Sequence, residues 1–133
     1  MPSKRLFSFL FFSWMALLTI LSLVPADNLD MDGPDIPYLD KWAHLGFYLI
    51  AMVLGALFLM EQHRPGKVRR RPLVVLGALL AGYGMIIELL QGISGQQRSA
   101  EWWDLTANIL GIMLGGWFSL FILRRAGALN WPD

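Results

Sequence analysis

The chain has 133 residues, of which 56% are hydrophobic and 16% charged. An ordinary soluble domain carries about 25% charged residues, so this balance excludes one and suits a small membrane protein. The net charge of +1 says nothing by itself and no nucleic-acid partner is expected, while the absence of cysteine excludes a disulfide framework and a thiolate metal site.

Four uncharged runs stand out in chain order: Leu6–Val24, Trp42–Met60, Leu73–Ile87 (reaching Leu90 past Glu88) and Leu105–Leu123. Each is about long enough to cross the ~30 Å hydrocarbon core of a bilayer as a helix. The expected fold is therefore all-α: a four-helix transmembrane bundle in a single domain over 1–133, with helices at about 6–24, 42–60, 73–90 and 105–123. The first run follows Lys4 and Arg5 and could be read as a secretory leader. It exceeds the 7–15 apolar residues of a leader, and Pro25 weakens a cleavage site beside Ala26, so it is read as a retained helix.

Lys and Arg are unevenly spread. Nine of the eleven fall at the N-terminus (Lys4, Arg5), in the loop after the second run (Arg64, Lys67, Arg69, Arg70, Arg71) or after the fourth run (Arg124, Arg125). The other two loops hold only Lys41 and Arg98. The positive-inside rule then places both termini and the 61–72 loop in the cytoplasm, and the 25–41 and 91–104 loops outside. Tyr38, Trp42, Trp102 and Trp103 fall at the expected outer boundary, where aromatic side chains anchor helices in the interface. Asp27, Asp30, Asp32 and Asp35 make an acidic outer loop that lacks the full spacing of a calcium loop and reads as solvated.

The polar residues within and beside the runs gather at that same outer edge. In the second helix, Asp40, His44 and Tyr48 are spaced by four and form one stripe running inward. Lys41 lies beside them. The third helix ends in Glu88 and Gln91, three apart on one face; a carboxylate among Ile86, Ile87, Leu89 and Leu90 is costly in lipid and must face the bundle interior. In the fourth helix, taking Asp104 as zero, Asn108, Gly111 and Gly115 lie at about +40°, −20° and +20° around the axis. The two glycines permit close helix approach, so Asp104 and Asn108 on their face point into the bundle too. No charged residue interrupts the middle of any run, which argues against an ion path across the bilayer and so against a transporter.

Asp40-Lys41-x-x-His44-x-x-x-Tyr48, then Glu88-x-x-Gln91, Arg98 and Asp104-x-x-x-Asn108-x-x-Gly111-x-x-x-Gly115 resembles the VanZ-like family of small bacterial membrane proteins. The similarity runs from about residue 22 to residue 116, and Ser22-x-x-Pro25 fits the family's way of ending its first helix. The founding member is associated with low-level resistance to the glycopeptide teicoplanin, and the family has been linked by remote similarity to integral-membrane enzymes that exchange or cleave phospholipid head groups. The resemblance implies a multi-pass protein of the bacterial inner membrane.

Two functions compete. As a head-group transferase or phosphoesterase, the chain would use His44, Glu88 and Asp104 as catalytic groups. Asp40, Lys41, Tyr48, Gln91, Arg98 and Asn108 would bind substrate, with Lys41 and Arg98 on phosphate oxygens. As a lipid- or glycolipid-binding accessory protein of the envelope, affecting glycopeptide susceptibility, it would use the same groups without chemistry. The partners are membrane lipids or a lipid-linked envelope substrate. In the enzyme, Asp104 and Asn108 would orient the acid or base or bind a divalent cation; a carboxylate–imidazole set could suit such a metal, but the ligand spacing matches no motif, so no metal set is assigned, and the sequence specifies neither a cofactor nor an oligomeric state.

Overall fold

The computed structural model describes residues 5–24, 37–63, 68–94 and 101–128. They form four α-helices: α1 (Leu6–Leu23), α2 (Leu39–Gln62), α3 (Arg70–Ile93) and α4 (Trp102–Arg125). All four are long and apolar enough to cross a membrane. The last three run past the uncharged segments at both ends, so that Asp40 and Lys41 lie in the first turn of α2 and Asp104 in the first turn of α4. The reason is that a helix is propagated by its backbone hydrogen bonds and continues into the polar layer, whereas a count of uncharged residues measures only the hydrocarbon layer. At 24 residues, each of these helices is about 36 Å long.

Helix direction alternates along the chain. Near the start of α1, the backbone N–H groups of Phe7 and Ser8 and the Ser8 hydroxyl donate to the Glu61 carboxylate near the end of α2. Glu61 thus caps α1 from another helix, in place of a cap from Arg5, whose side chain makes no capping bond. Farther along, Trp14 Nε1 donates to the Phe47 carbonyl at 3.0 Å. Between α1 and α3, the Thr19 and Tyr83 hydroxyls are hydrogen-bonded, and Gln91 Nε2 reaches the Ser22 carbonyl at 2.7 Å.

The closest packing joins α2 to α4, which run parallel. A Cβ on Gly111 would lie 2.2 Å from the Leu45 carbonyl oxygen, and one on Gly115 would lie 2.6 Å from that of Leu49. The expectation that both glycines serve close approach therefore has a specific content: they admit the backbone of α2. Gly55 makes room for side chains of α3 and α1 instead: a Cβ would meet the end of Leu76 at 2.7 Å and the Phe11 ring at 3.1 Å. Below the polar end, Leu18, Ala51, Met52, Ala56, Leu76 and Leu80 belong to one packed apolar core.

The other end of the bundle is closed by backbone geometry. Gly127 adopts φ +62, the Gly127 N–H donates to the Arg124 carbonyl, and the Ala128 N–H donates to that of Leu123. This left-handed glycine stop satisfies the last carbonyls of α4. The Ala128 carbonyl in turn accepts from the Val68 N–H at 2.7 Å, tying the approach to α3 to the end of α4. Arg69, Arg70, Arg71, Arg124 and Arg125 collect at this end.

Much of the outward surface is apolar: Phe9, Phe12, Val74, Leu79, Met113 and Trp117 are all exposed. Water would make such a surface costly, and hydrocarbon would not.

Candidate functional site

The start of α2, the end of α3 and the start of α4 meet at the end of the bundle opposite the arginines. His44 and Glu88 each lie about five residues inside their helix ends, and Asn108 about six, so the alternating directions bring them to one level roughly 8 Å deep. Gly84 provides the space: a Cβ there would lie 3.1 Å from both Asn108 Nδ2 and Tyr48 Oη.

Four polar side chains from three helices converge. His44 Nδ1 is 3.0 Å from Asn108 Oδ1 and 3.6 Å from Glu88 Oε1. The other ring nitrogen, Nε2, lies 3.9 Å from Asp104 Oδ2. His44, Glu88, Asp104 and Asn108 are all buried. Since an amide oxygen can only accept, Asn108 places the proton of a neutral His44 on Nδ1 and leaves the lone pair of Nε2 facing Asp104. Tyr48, one turn below His44 on the same face of α2, is 1% exposed, and its hydroxyl has no hydrogen-bond partner among the described residues. The same holds for Asn108 Nδ2.

Around the rim, Lys41 Nζ lies 2.9 Å from Asp40, 2.8 Å from Glu101 and 3.2 Å from Asp104. An ammonium has three donors, and here three carboxylates surround it. Lys41 therefore holds Asp104 in place, and gripping a phosphate would require it to release a carboxylate.

The residues singled out in the sequence accordingly fall into separate groups. His44, Glu88, Asp104 and Asn108 form the pocket, with Tyr48 beneath them. Asp40 has a side chain 57% exposed and stands at the rim with Lys41, so the stripe of three on α2 contributes two members to the interior. Gln91 is buried, but its amide is used by Ser22 on α1, which makes it a tie between helices. Arg98 lies outside the described residues, as do Pro25 and the acidic loop. Tyr38, Trp42, Trp102 and Trp103 are exposed at this end, as interfacial anchors would be.

Two contributors were not singled out in the sequence. Glu101 precedes α4 and takes the shortest contact to Lys41; its spacing of three from Asp104 was the available signal. Gly84 sits among other small residues of α3, and nothing in its neighbours marks it as the one that faces Tyr48.

Among the described residues, two sets of side chains bring their donors close enough to share a cation: Asp40, Glu101 and Asp104 at the rim, and His44, Glu88 and Asp104 inside. The first set already surrounds a cation, the Lys41 ammonium.

An apolar cleft reaches the pocket from the side. It measures about 270 Å³ and is lined by Met85, Leu89, Trp102 and Leu105, with Glu88 and Glu101 at its polar end. Met85, Leu89 and Trp102 are exposed, so the cleft opens onto the apolar outer surface between α3 and α4.

Compared with protein-family models, curated proteins and solved structures, the chain finds no match.

Proposed function

We propose that this chain is a VanZ-like protein of the bacterial inner membrane, with both termini in the cytoplasm, that acts on a phospholipid or lipid-linked head group at the outer face. The cleft between α3 and α4 carries this reading. A site for a water-soluble substrate would open along the bundle axis toward solvent. This one has an apolar side opening that ends at a buried carboxylate, which suits a molecule with an acyl part in the bilayer and a polar part to be delivered inward. The charge distribution supports the orientation, because the arginine-rich end faces the cytoplasm under the positive-inside rule.

The chemistry that fits is transfer or hydrolysis at a phosphoester. His44, lying between Glu88 and Asp104, takes the proton of an attacking hydroxyl or water as a new P–O bond forms. It returns that proton to the oxygen of the departing head group as the old P–O bond breaks. Asn108 orients the ring, and Lys41 holds Asp104 in place. The carboxylates stabilise the imidazolium between the two transfers, the part a buried acid plays in other histidine-based sites.

Lipid profiles test the proposal. Membranes from cells overproducing the wild type are compared with Glu88→Gln and Asp104→Asn variants at matched protein level. The expected result is a changed head-group or lipid-linked species with the wild type, absent from both variants. Identical profiles in all three overturn the enzyme and leave lipid binding without turnover, for which co-purifying lipid is the readout.

A further inference from the structure

We propose that His44, Glu88 and Asp104 form a site for one divalent transition-metal ion of the Zn²⁺ or Mn²⁺ class, with Asn108 as the residue that aims the imidazole at it. The inference rests on the reading of this pocket as a reactive site and alters one part of it: with an ion held at Nε2, His44 would be a ligand, and the ion would activate the attacking oxygen in its place; ion binding itself is independent of any lipid.

The argument starts from the placement of one proton. Asn108 Oδ1 at 3.0 Å fixes N–H at His44 Nδ1, so Nε2 presents a lone pair. It faces Asp104 Oδ2, another lone-pair donor, at 3.9 Å, too far for a hydrogen bond. Two donors each about 2.1 Å from one ion stand about 3.4 Å apart at the tetrahedral angle, so a small rotation of either side chain brings both onto one ion. Glu88, whose Oε1 stands 3.6 Å from Nδ1, supplies the third donor by turning toward the Nε2 side; a ring nitrogen of His44 and one oxygen from each carboxylate lie within 4.8 Å of one another. A histidine that ligates a metal through one nitrogen characteristically donates the other N–H to an oxygen, which is the contact Asn108 makes.

Charge and burial point the same way. Two carboxylates sit in a nearly dry layer of an apolar bundle, where a shared cation offsets their desolvation and mutual repulsion. At the rim, the Lys41 ammonium reaches only the Oδ1 side of Asp104. Tyr48 Oη and Asn108 Nδ2, both buried and without partners among the described residues, offer hydrogen-bonding groups just below the site for a water or a substrate oxygen. Imidazole with carboxylates selects a transition metal over Mg²⁺ or Ca²⁺, which prefer oxygen alone. Three protein ligands leave a coordination position open, as in catalytic rather than structural sites.

The test uses the full chain purified in detergent and stripped with a chelator. Uptake of Zn²⁺, Mn²⁺ and Co²⁺ is measured by elemental analysis after gel filtration, and Co²⁺ is also followed by its visible absorption. The expected result is one ion per chain, with affinity reduced at least tenfold in His44→Ala and Asp104→Asn and about 10- to 100-fold in Asn108→Ala. Asp40→Asn, which touches only the rim, should bind as the wild type does. The proposal is overturned if the wild type takes up no more ion than a detergent blank, if folded His44→Ala keeps wild-type affinity, or if only Asp40→Asn loses the ion. Should His44→Ala fail to fold, the Co²⁺ spectrum of the wild type and the Asn108→Ala affinity decide between the same outcomes. Failed ion binding with a changed lipid profile removes the metal and keeps the enzyme; ion binding with unchanged lipids does the reverse.

Discussion

At Gly84, a methyl group would stand 3.1 Å from Asn108 Nδ2, 3.1 Å from Tyr48 Oη and 3.2 Å from Tyr48 Cζ. Distances of this kind are resolved by whichever neighbour can retreat. Tyr48 is 1% exposed and Asn108 is fully buried, so neither has room. Gly84→Ala should gain helix propensity and lose more than it gains, with a net destabilisation of about 1 kcal/mol from overpacking. The displaced Asn108 would also release the His44 ring. Thermal unfolding in detergent measures the first effect. The histidine C–H proton signals by NMR measure the second, and an unmoved His44 signal would show that Asn108 does not hold the ring. The other residue-scale lesson is Lys41. A lysine beside a site invites a phosphate-binding role, yet three carboxylates already surround its ammonium, two of them hydrogen-bonded and the third, Asp104, at 3.2 Å.

Among whole elements, the parallel pair α2 and α4 sets the pocket's dimensions. Lys41 meets Asp104, His44 meets Asn108, Leu45 meets Gly111 and Leu49 meets Gly115, four contacts in one continuous register. In hydrocarbon, association of helices rests on close packing and hydrogen bonds, because lipid tails are as apolar as leucine. Gly111→Ala puts a Cβ 2.2 Å from a backbone oxygen that cannot rotate away, so the helices must separate. A loss of at least about 3 kcal/mol is expected, at the upper end for overpacking. Gly116→Ala, whose Cβ would meet only the end of Met52 at 3.7 Å, should leave the unfolding midpoint unchanged or raise it slightly. Equal effects from the two substitutions would mean that α2 and α4 do not pack along Gly111.

For the molecule as a whole, the two ends differ in kind. One gathers arginines, and the other gathers carboxylates, an imidazole and exposed tryptophans. The proposed orientation puts the second outside. Because the chain has no cysteine, single thiols report it without background. Ser94→Cys, exposed at the pocket end, should react with a membrane-impermeant maleimide added to intact spheroplasts. Gln62→Cys, exposed at the arginine end, should react only after the membrane is opened. The reverse pattern would place the pocket in the cytoplasm and require a substrate from the inner leaflet.

The sequence by itself determined the four apolar helices, because hydrocarbon demands some twenty uncharged residues per crossing and leaves that demand visible in the chain. It also marked His44, Glu88, Asp104 and Asn108 as inward-facing, because polar groups in an apolar run have nowhere else to go. It misjudged the helix ends, where charge stops being a guide to backbone hydrogen bonding. Only the tertiary structure decided which polar groups meet which. Asp40 and Tyr48 share a stripe on α2, yet one lies at the rim and the other beneath the pocket, since depth along the axis separates them as surely as angle unites them. Gln91 and Glu88 share a face of α3, yet Gln91 is claimed by α1, a neighbour whose position no periodicity in α3 records. The approach of His44 to two carboxylates, and the gap between Nε2 and Asp104, depend on three helix axes packed at glycine distance, and such distances follow from the assembled bundle alone.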